Sequence, residues 1–283
     1  MSDALRREDG ANAAEAVFDV LGPAASGPVR AIDWIVTLPF LVAFGLILLL
    51  FDPLQRLSRP FGERPHEIVV GVMQAALLGS FRLCGVRLSI ERAPAVAPRT
   101  PYILIANHQS MFDIPIIGAL LFSNYPKYVS KRELSRGIPS ISYNLRRGGN
   151  ALIDRSDRAQ AERAIHDLGV YAQRRGVSVV IYPEGTRARA GGLGPFKRAG
   201  TFALLAAAPD LEVVPVVIDG SWKLLSRNLL PVPFGVRIRV RFAEPIRRSE
   251  AGDAEAVLER TRLEIESTLI RWRSEAAEPA RSR

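Results

Sequence analysis

From Trp34 to Phe51 the chain runs W-I-V-T-L-P-F-L-V-A-F-G-L-I-L-L-L-F without a single charge. As one helix this stretch reaches about 27 Å, close to the roughly 30 Å hydrocarbon core of a bilayer. It starts too far from the N-terminus, and lacks the small-residue cleavage pattern, for a secretory signal peptide. A membrane-embedded helix is therefore expected, and the 283 residues leave room for one main domain beside it.

A second uncharged stretch, Ile68 to Phe81, is shorter and carries Gln74, Gly79 and Ser80. It suits an interfacial or re-entrant helix, with a buried helix of the main domain as the alternative. Pro53, Pro60 and Gly62 are expected to break the chain between the two stretches. Arg6, Arg7 and Arg30 precede the first stretch and Arg56, Arg59 and Arg64 follow it, so the positive-inside rule sets no orientation. The first residues are rich in Ala, Gly, Pro and charge with no apolar period, which reads as a flexible tail. The expected organisation is a tail over 1–30, anchoring helices over 31–82 and one domain over 83–283.

After Arg82 short β-rich runs alternate with helical spacing. Strands are expected at Arg87–Glu91, Tyr102–Ala106, Lys127–Ser130, Ser178–Tyr182, Glu212–Ile218 and Val236–Phe242, with a further short one leading to Arg155. Helices are expected over 157–174, capped by Ser156 or Asp157, and over 197–207. Leu258, Ile265, Leu269 and Trp272 mark the packing face of a closing helix. This alternation specifies an α/β domain with a largely buried mixed sheet.

The net charge of +9 calls for an anionic partner: an acidic lipid surface, a phosphorylated substrate or nucleic acid. The cations sit among Gly and Pro turns, not on a recognition helix or an aromatic-studded β face, which argues against nucleic acid. One cysteine, Cys84, permits no intrachain disulfide, and three histidines without H-E-x-x-H spacing argue against a metal.

The strand Tyr102–Ala106 runs into N-H-Q-S-M-F-D, placing His108 at a strand end and Asp113 inside the next helix. A neutral imidazole takes a proton from an attacking hydroxyl when a carboxylate fixes its tautomer and steadies the imidazolium. Asn107 and Ser110 are available to cap the turn. A lone H-x-x-x-x-D is also compatible with a histidine satisfied by its own loop, so the other motifs must supply context. His66 and His166 lack a comparable partner pattern.

In V-V-I-Y-P-E-G-T-R a buried strand opens into Glu184, Gly185, Thr186 and Arg187. Such a turn offers N–H groups, a hydroxyl and a guanidinium to a phosphate. Glu184 would orient the loop or the polar head, and Lys197 could add charge at the mouth. Lys131, in K-R-E-L, and Arg155, at a strand end, are the other candidate phosphate ligands.

These blocks, N-H-Q-S-M-F-D at 107 to 113, K-R-E-L with I-P and I-D-R at 131 to 155, Y-P-E-G-T-R at 182 to 187 and V-P-V at 214 to 216, together resemble the glycerolipid acyltransferase family. The resemblance implies acyl transfer from acyl-CoA or acyl carrier protein, as co-substrate and without a cofactor, to a glycerolipid hydroxyl. It assigns His108 as base, Asp113 as its partner and the Glu184–Arg187 loop as the acceptor phosphate site. The acceptor expected is lysophosphatidic acid or a related lysophospholipid, at the cytoplasmic face of the cell membrane. A lyso-aminolipid acyltransferase and a non-catalytic binder of acidic membrane lipids are the alternatives.

Overall fold

The computed structural model describes residues 27–188 and 190–281, so the part of the expected tail up to residue 26 lies outside the described residues. Seven strands form one mixed sheet in the order β1 (Arg87–Arg92), β7 (Arg237–Phe242), β6 (Glu212–Asp219), β2 (Tyr102–Ala106), β5 (Val179–Ile181), β3 (Lys127–Lys131), β4 (Ala151–Ile153). Neighbours run parallel except β6 and β7. Every residue of β2 is buried, because helices cover both faces and its apolar run needs no polar side.

On one face α1 (Ala31–Ser58) and α3 (Asp113–Leu120) pack over Leu104, Tyr128, Val180 and Val216. The opposite face receives α5 (Arg158–Arg175), capped by the Asp157 side chain, and α6 (Arg198–Ala207), over Ile103, Ile105, Val179 and Ile181. The closing helix α7 (Ala254–Arg281) buries Ile265, Leu269 and Trp272 against Val217. A short helix, α4 (Ile141–Arg147), was not expected from the sequence; its Ile141, with Ile138 just before it, packs toward Leu48 and Met73.

Helix α1 continues through Pro39 and Pro53, so Pro53 does not end it as expected. A proline costs an intrahelical bond and can be carried inside a long helix when neighbouring turns hold. The chain turns at Gly62, whose φ of 117° only glycine adopts freely. Helix α2 (Glu63–Ser80) then starts ahead of the uncharged stretch, in a charged first turn. The absence of charge therefore marked too short a segment: Glu67 belongs to the helix and is buried with Lys127 of β3 at 2.7 Å, while Arg64 pairs with the same carboxylate at 3.0 Å.

Both helices are long and apolar enough to cross a membrane by length and composition, the first mostly exposed and the second half-buried. Along α1 the exposed stripe holds Trp34, Ile35, Leu38, Val42, Leu46 and Leu49. Its other side is clamped to the domain, since Phe40 and Phe44 lie edge-on to Phe112 at 6.0 and 5.8 Å, and Phe81 joins them at 5.1 Å. Burial lowers the pKa of Lys127 and the Glu67 charge opposes that shift. Lys127→Met removes the buried partner of Glu67 and leaves the carboxylate with the more exposed Arg64 alone, which should cost about 3 kcal/mol. Chemical denaturation in detergent should show that loss, and Lys127→Met with Glu67→Leu should recover most of it.

Candidate active site

The carboxyl end of β2 leads into the loop that carries His108. Asn107 is drawn away from the capping role expected of it: its amide donates to the Ile218 carbonyl and accepts from the Ile218 N–H, both at 2.8 Å. Ser110 does the local work instead, its hydroxyl accepting from Phe112 N–H at 3.1 Å. The loop folds back so that His108 Nδ1 lies 2.8 Å from Asp113 Oδ2. The same carboxylate accepts from Gln109 N–H at 2.7 Å, Ser110 N–H at 2.9 Å and the hydroxyls of Ser110 at 3.3 Å and Ser221 at 2.5 Å. With the acid as acceptor, the neutral ring carries its proton on Nδ1 and leaves the Nε2 lone pair available.

Asp113 is fully buried and the His108 side chain is 15% exposed. Tyr182 stacks on the imidazole with centroids 4.0 Å apart and planes 20° apart, which removes one side from solvent and restricts rotation. Among the described residues the buried Tyr182 hydroxyl has no hydrogen-bond partner, and burial pushes its pKa well up.

The loop after β5 is joined to the His108 loop at two points. Ala188 N–H donates to the His108 carbonyl at 2.7 Å, and His108 N–H donates to Glu184 Oε1 at 2.7 Å. The other Glu184 oxygen accepts from Gly194 N–H at 2.8 Å. Glu184, expected among the phosphate ligands, thus turns inward and ties backbone to backbone. Gly185 has φ +67°, so the turn takes glycine for its conformation.

Beside His108 opens a cavity of about 550 Å³. Lys131, Arg155, Gly185 and Lys197 line it together with His108, and Val129, Ile153, Ile165 and Ile181 supply apolar wall. Thr186 and Arg187 are exposed and lie outside that lining. Burial lowers the Arg155 pKa; Glu133 opposes this and the Arg187 charge adds to it, so Arg155 and Arg187 form one electrostatic group. His66 is buried against the Gln55 carbonyl and Asn144, and His166 is half-exposed on α5. Among the described residues no three His, Cys, Asp or Glu side chains gather as a metal set.

Sequence reasoning missed Ser221 and the brace built on Gln109. Gln109 accepts from Gly220 N–H at 3.0 Å and donates to Asp219 at 3.2 Å. The only signal for either lay in the D-G-S turn that closes β6, a strand end like the one carrying His108.

Burial raises the Glu184 pKa to about 7, against the lowering effect of its two backbone bonds; the Asp113 charge adds to the rise. A carboxylate raised by folding binds more protons folded than unfolded from its usual titration range up to about 7. Its contribution to stability therefore falls as pH rises through that window and levels off above it. Glu184→Gln should remove this slope, as thermal melts of both proteins between about pH 5 and 8 would show.

Residues 87–219 match the family model described as Acyltransferase. A 1-acyl-sn-glycerol-3-phosphate acyltransferase of Salmonella typhimurium is 28% identical over 189 residues, 67% of this chain and 74% of that one. The alpha enzyme of that name from Mus musculus is 26% identical over 62% of this chain and 60% of its own. The crystal structure of the 1-acyl-sn-glycerophosphate acyltransferase PlsC from Thermotoga maritima superposes with a TM-score of 0.68 at 20% identity, over 83% of this chain and 93% of that one. The matched segment runs from β1 to the end of β6 and contains both joined loops, so the chain carries an Acyltransferase domain and is an acyltransferase.

Proposed function

We propose that the chain transfers a fatty acyl group from acyl-CoA or acyl carrier protein to the free hydroxyl of 1-acyl-sn-glycerol 3-phosphate, giving phosphatidic acid. The observation that carries this reading is the His108–Asp113 pair at 2.8 Å opening on a cavity with cationic and apolar walls. A lysophosphatidate needs both: guanidinium and ammonium groups for its phosphate and an apolar wall for a chain. The relatives' names supply the acceptor class.

In this mechanism His108 Nε2 takes the proton of the acceptor hydroxyl as its oxygen attacks the thioester carbonyl carbon. Asp113 holds the ring and stabilises the imidazolium through Nδ1–H. Collapse of the tetrahedral intermediate breaks the C–S bond, and the departing thiolate takes the proton back from His108. No covalent enzyme intermediate and no cofactor enter the sequence of steps. Lys131, Arg155, Arg187 and the Gly185–Thr186 backbone hold the acceptor phosphate, with Glu184 fixing the shape of that loop. The exposed stripe of α1 lies in the cell membrane, with the catalytic domain on the cytoplasmic face where acyl thioesters are available.

The test is transfer of labelled oleoyl groups by detergent-purified protein to lysophosphatidic acid, other lysophospholipids and glycerol 3-phosphate. His108→Ala should lower kcat by roughly 10² to 10⁴-fold. Arg187→Ala should act mainly on the acceptor KM, since it removes a binding charge and leaves the base in place. Preference for another lysolipid would replace the acceptor assignment, and a His108→Ala enzyme that kept a tenth or more of its rate would sink the general-base role.

A further inference from the structure

Helix α7 contributes one residue that its own packing does not require. Ile265, Leu269 and Trp272 already seat the helix on the sheet, and Trp272 Nε1 donates to Glu91 at 3.0 Å. Arg239 and Arg241 of β7 add ion pairs to Glu275 and Glu264 at 2.8 and 3.2 Å. Arg271 joins the same outer network through Glu91 and Glu275. Arg273 reaches elsewhere. Its guanidinium donates to Asp219 Oδ1 at 2.9 Å and to the Gly191 carbonyl, and both partners of the ion pair are largely shielded, at 18% and 19% exposed.

Of those two acceptors, Asp219 ends β6 beside the His108 loop and Gly191 lies in the segment after β5. Asp219 Oδ1 also takes the Gln109 amide at 3.2 Å, and Gln109 N–H bonds Asp113 Oδ2 at 2.7 Å, so Arg273 is linked to the His108–Asp113 pair through two residues, Asp219 and Gln109. Gly191 lies in the segment that Glu184 holds by Gly194, and Leu193 and Phe196 of that segment rest on α7. A guanidinium offers donors in a fixed fork and can hold two acceptors at a set separation, which an ammonium does less rigidly.

We propose that Arg273 is a positioning residue for acyl transfer: from the C-terminal helix it fixes the Gln109 brace behind His108 and the Gly191 loop relative to each other. The proposal rests on His108 being the base. It touches no reacting atom, so its effect falls on the geometry of the attack. Misplacement of a catalytic group by an ångström can cost up to about 100-fold in rate.

The test measures kcat, both KM values and Tm for Arg273→Gln, Arg273→Lys, Asp219→Asn and Arg271→Gln, with His108→Ala alongside. Arg273→Gln should lose roughly 10-fold in kcat with both KM values within about 2-fold of wild type, and Arg273→Lys should recover part of the loss. Asp219→Asn should lose kcat in the same way, and the double variant with Arg273→Gln should lose less than the product of the two singles. Arg271→Gln should keep its rate. The proposal is overturned by any of four results: kcat within about 2-fold of wild type in Arg273→Gln, a loss confined to KM, a loss equalled in Arg271→Gln, or a loss removed by assaying below the lowered Tm. An active His108→Ala protein would instead refute the base assignment, and is read independently of the Arg273 series.

Discussion

The Asp113 carboxylate has no exposed surface and collects five donors. A buried carboxylate is tolerated only when its oxygens are satisfied, and each donor that turns toward it gives up another partner to do so. That requirement bends the 107–110 loop into a cup around the first turn of α3, where the helix N-terminus also favours negative charge. It draws in Ser221 from the far side of β6. The imidazole is one of five groups held by a single acceptor, so its orientation follows from the burial of its neighbour.

The apolar helices are joined to the same place. Phe112 stands next to Asp113 in sequence and at the centre of the ring cluster that receives Phe40, Phe44 and Phe81. On the other side of α3, α2 is fixed by the Lys127–Glu67 pair, which is nearly free of solvent. Neither helix is an appendage on a flexible linker. Both are packed layers of the domain whose outer surfaces happen to be apolar, and a displacement of α1 would be transmitted to Phe112 before it reached anything else.

Much of this was legible in the sequence. The strands with continuous β-branched and apolar runs fall within a residue of where alternation put them, because burial on both faces leaves no competing pattern. His108 and Asp113 sit in one short loop, so their pairing needed only local folding. What was not legible depends on which strands become neighbours: Ser221, the Gln109–Asp219 contact and Arg273 reach the site because β6 lies beside β2 and α7 lies behind β6. Asn107 was identified as part of the right loop and given the wrong task, since residue type does not reveal which way a side chain leaves a turn. The early start of α2 was hidden by charges that a uniform hydropathy pattern cannot contain and that an ion pair renders harmless.

The bonds that complete the site also set a timetable. Asn107, Gln109 and Asp113 find Ile218, Gly220 and Ser221 between 108 and 111 residues later in the chain. Synthesis proceeds from the N-terminus, so a nascent chain that has not yet reached Asp219 already carries the whole N-H-Q-S-M-F-D segment and both apolar helices. It has no β6 to hold Asn107 and no hydroxyl from Ser221 on the carboxylate. The chain can meet its apolar surroundings long before its active-site loop is in order, since the His108 segment is assembled by residues made more than a hundred positions after it.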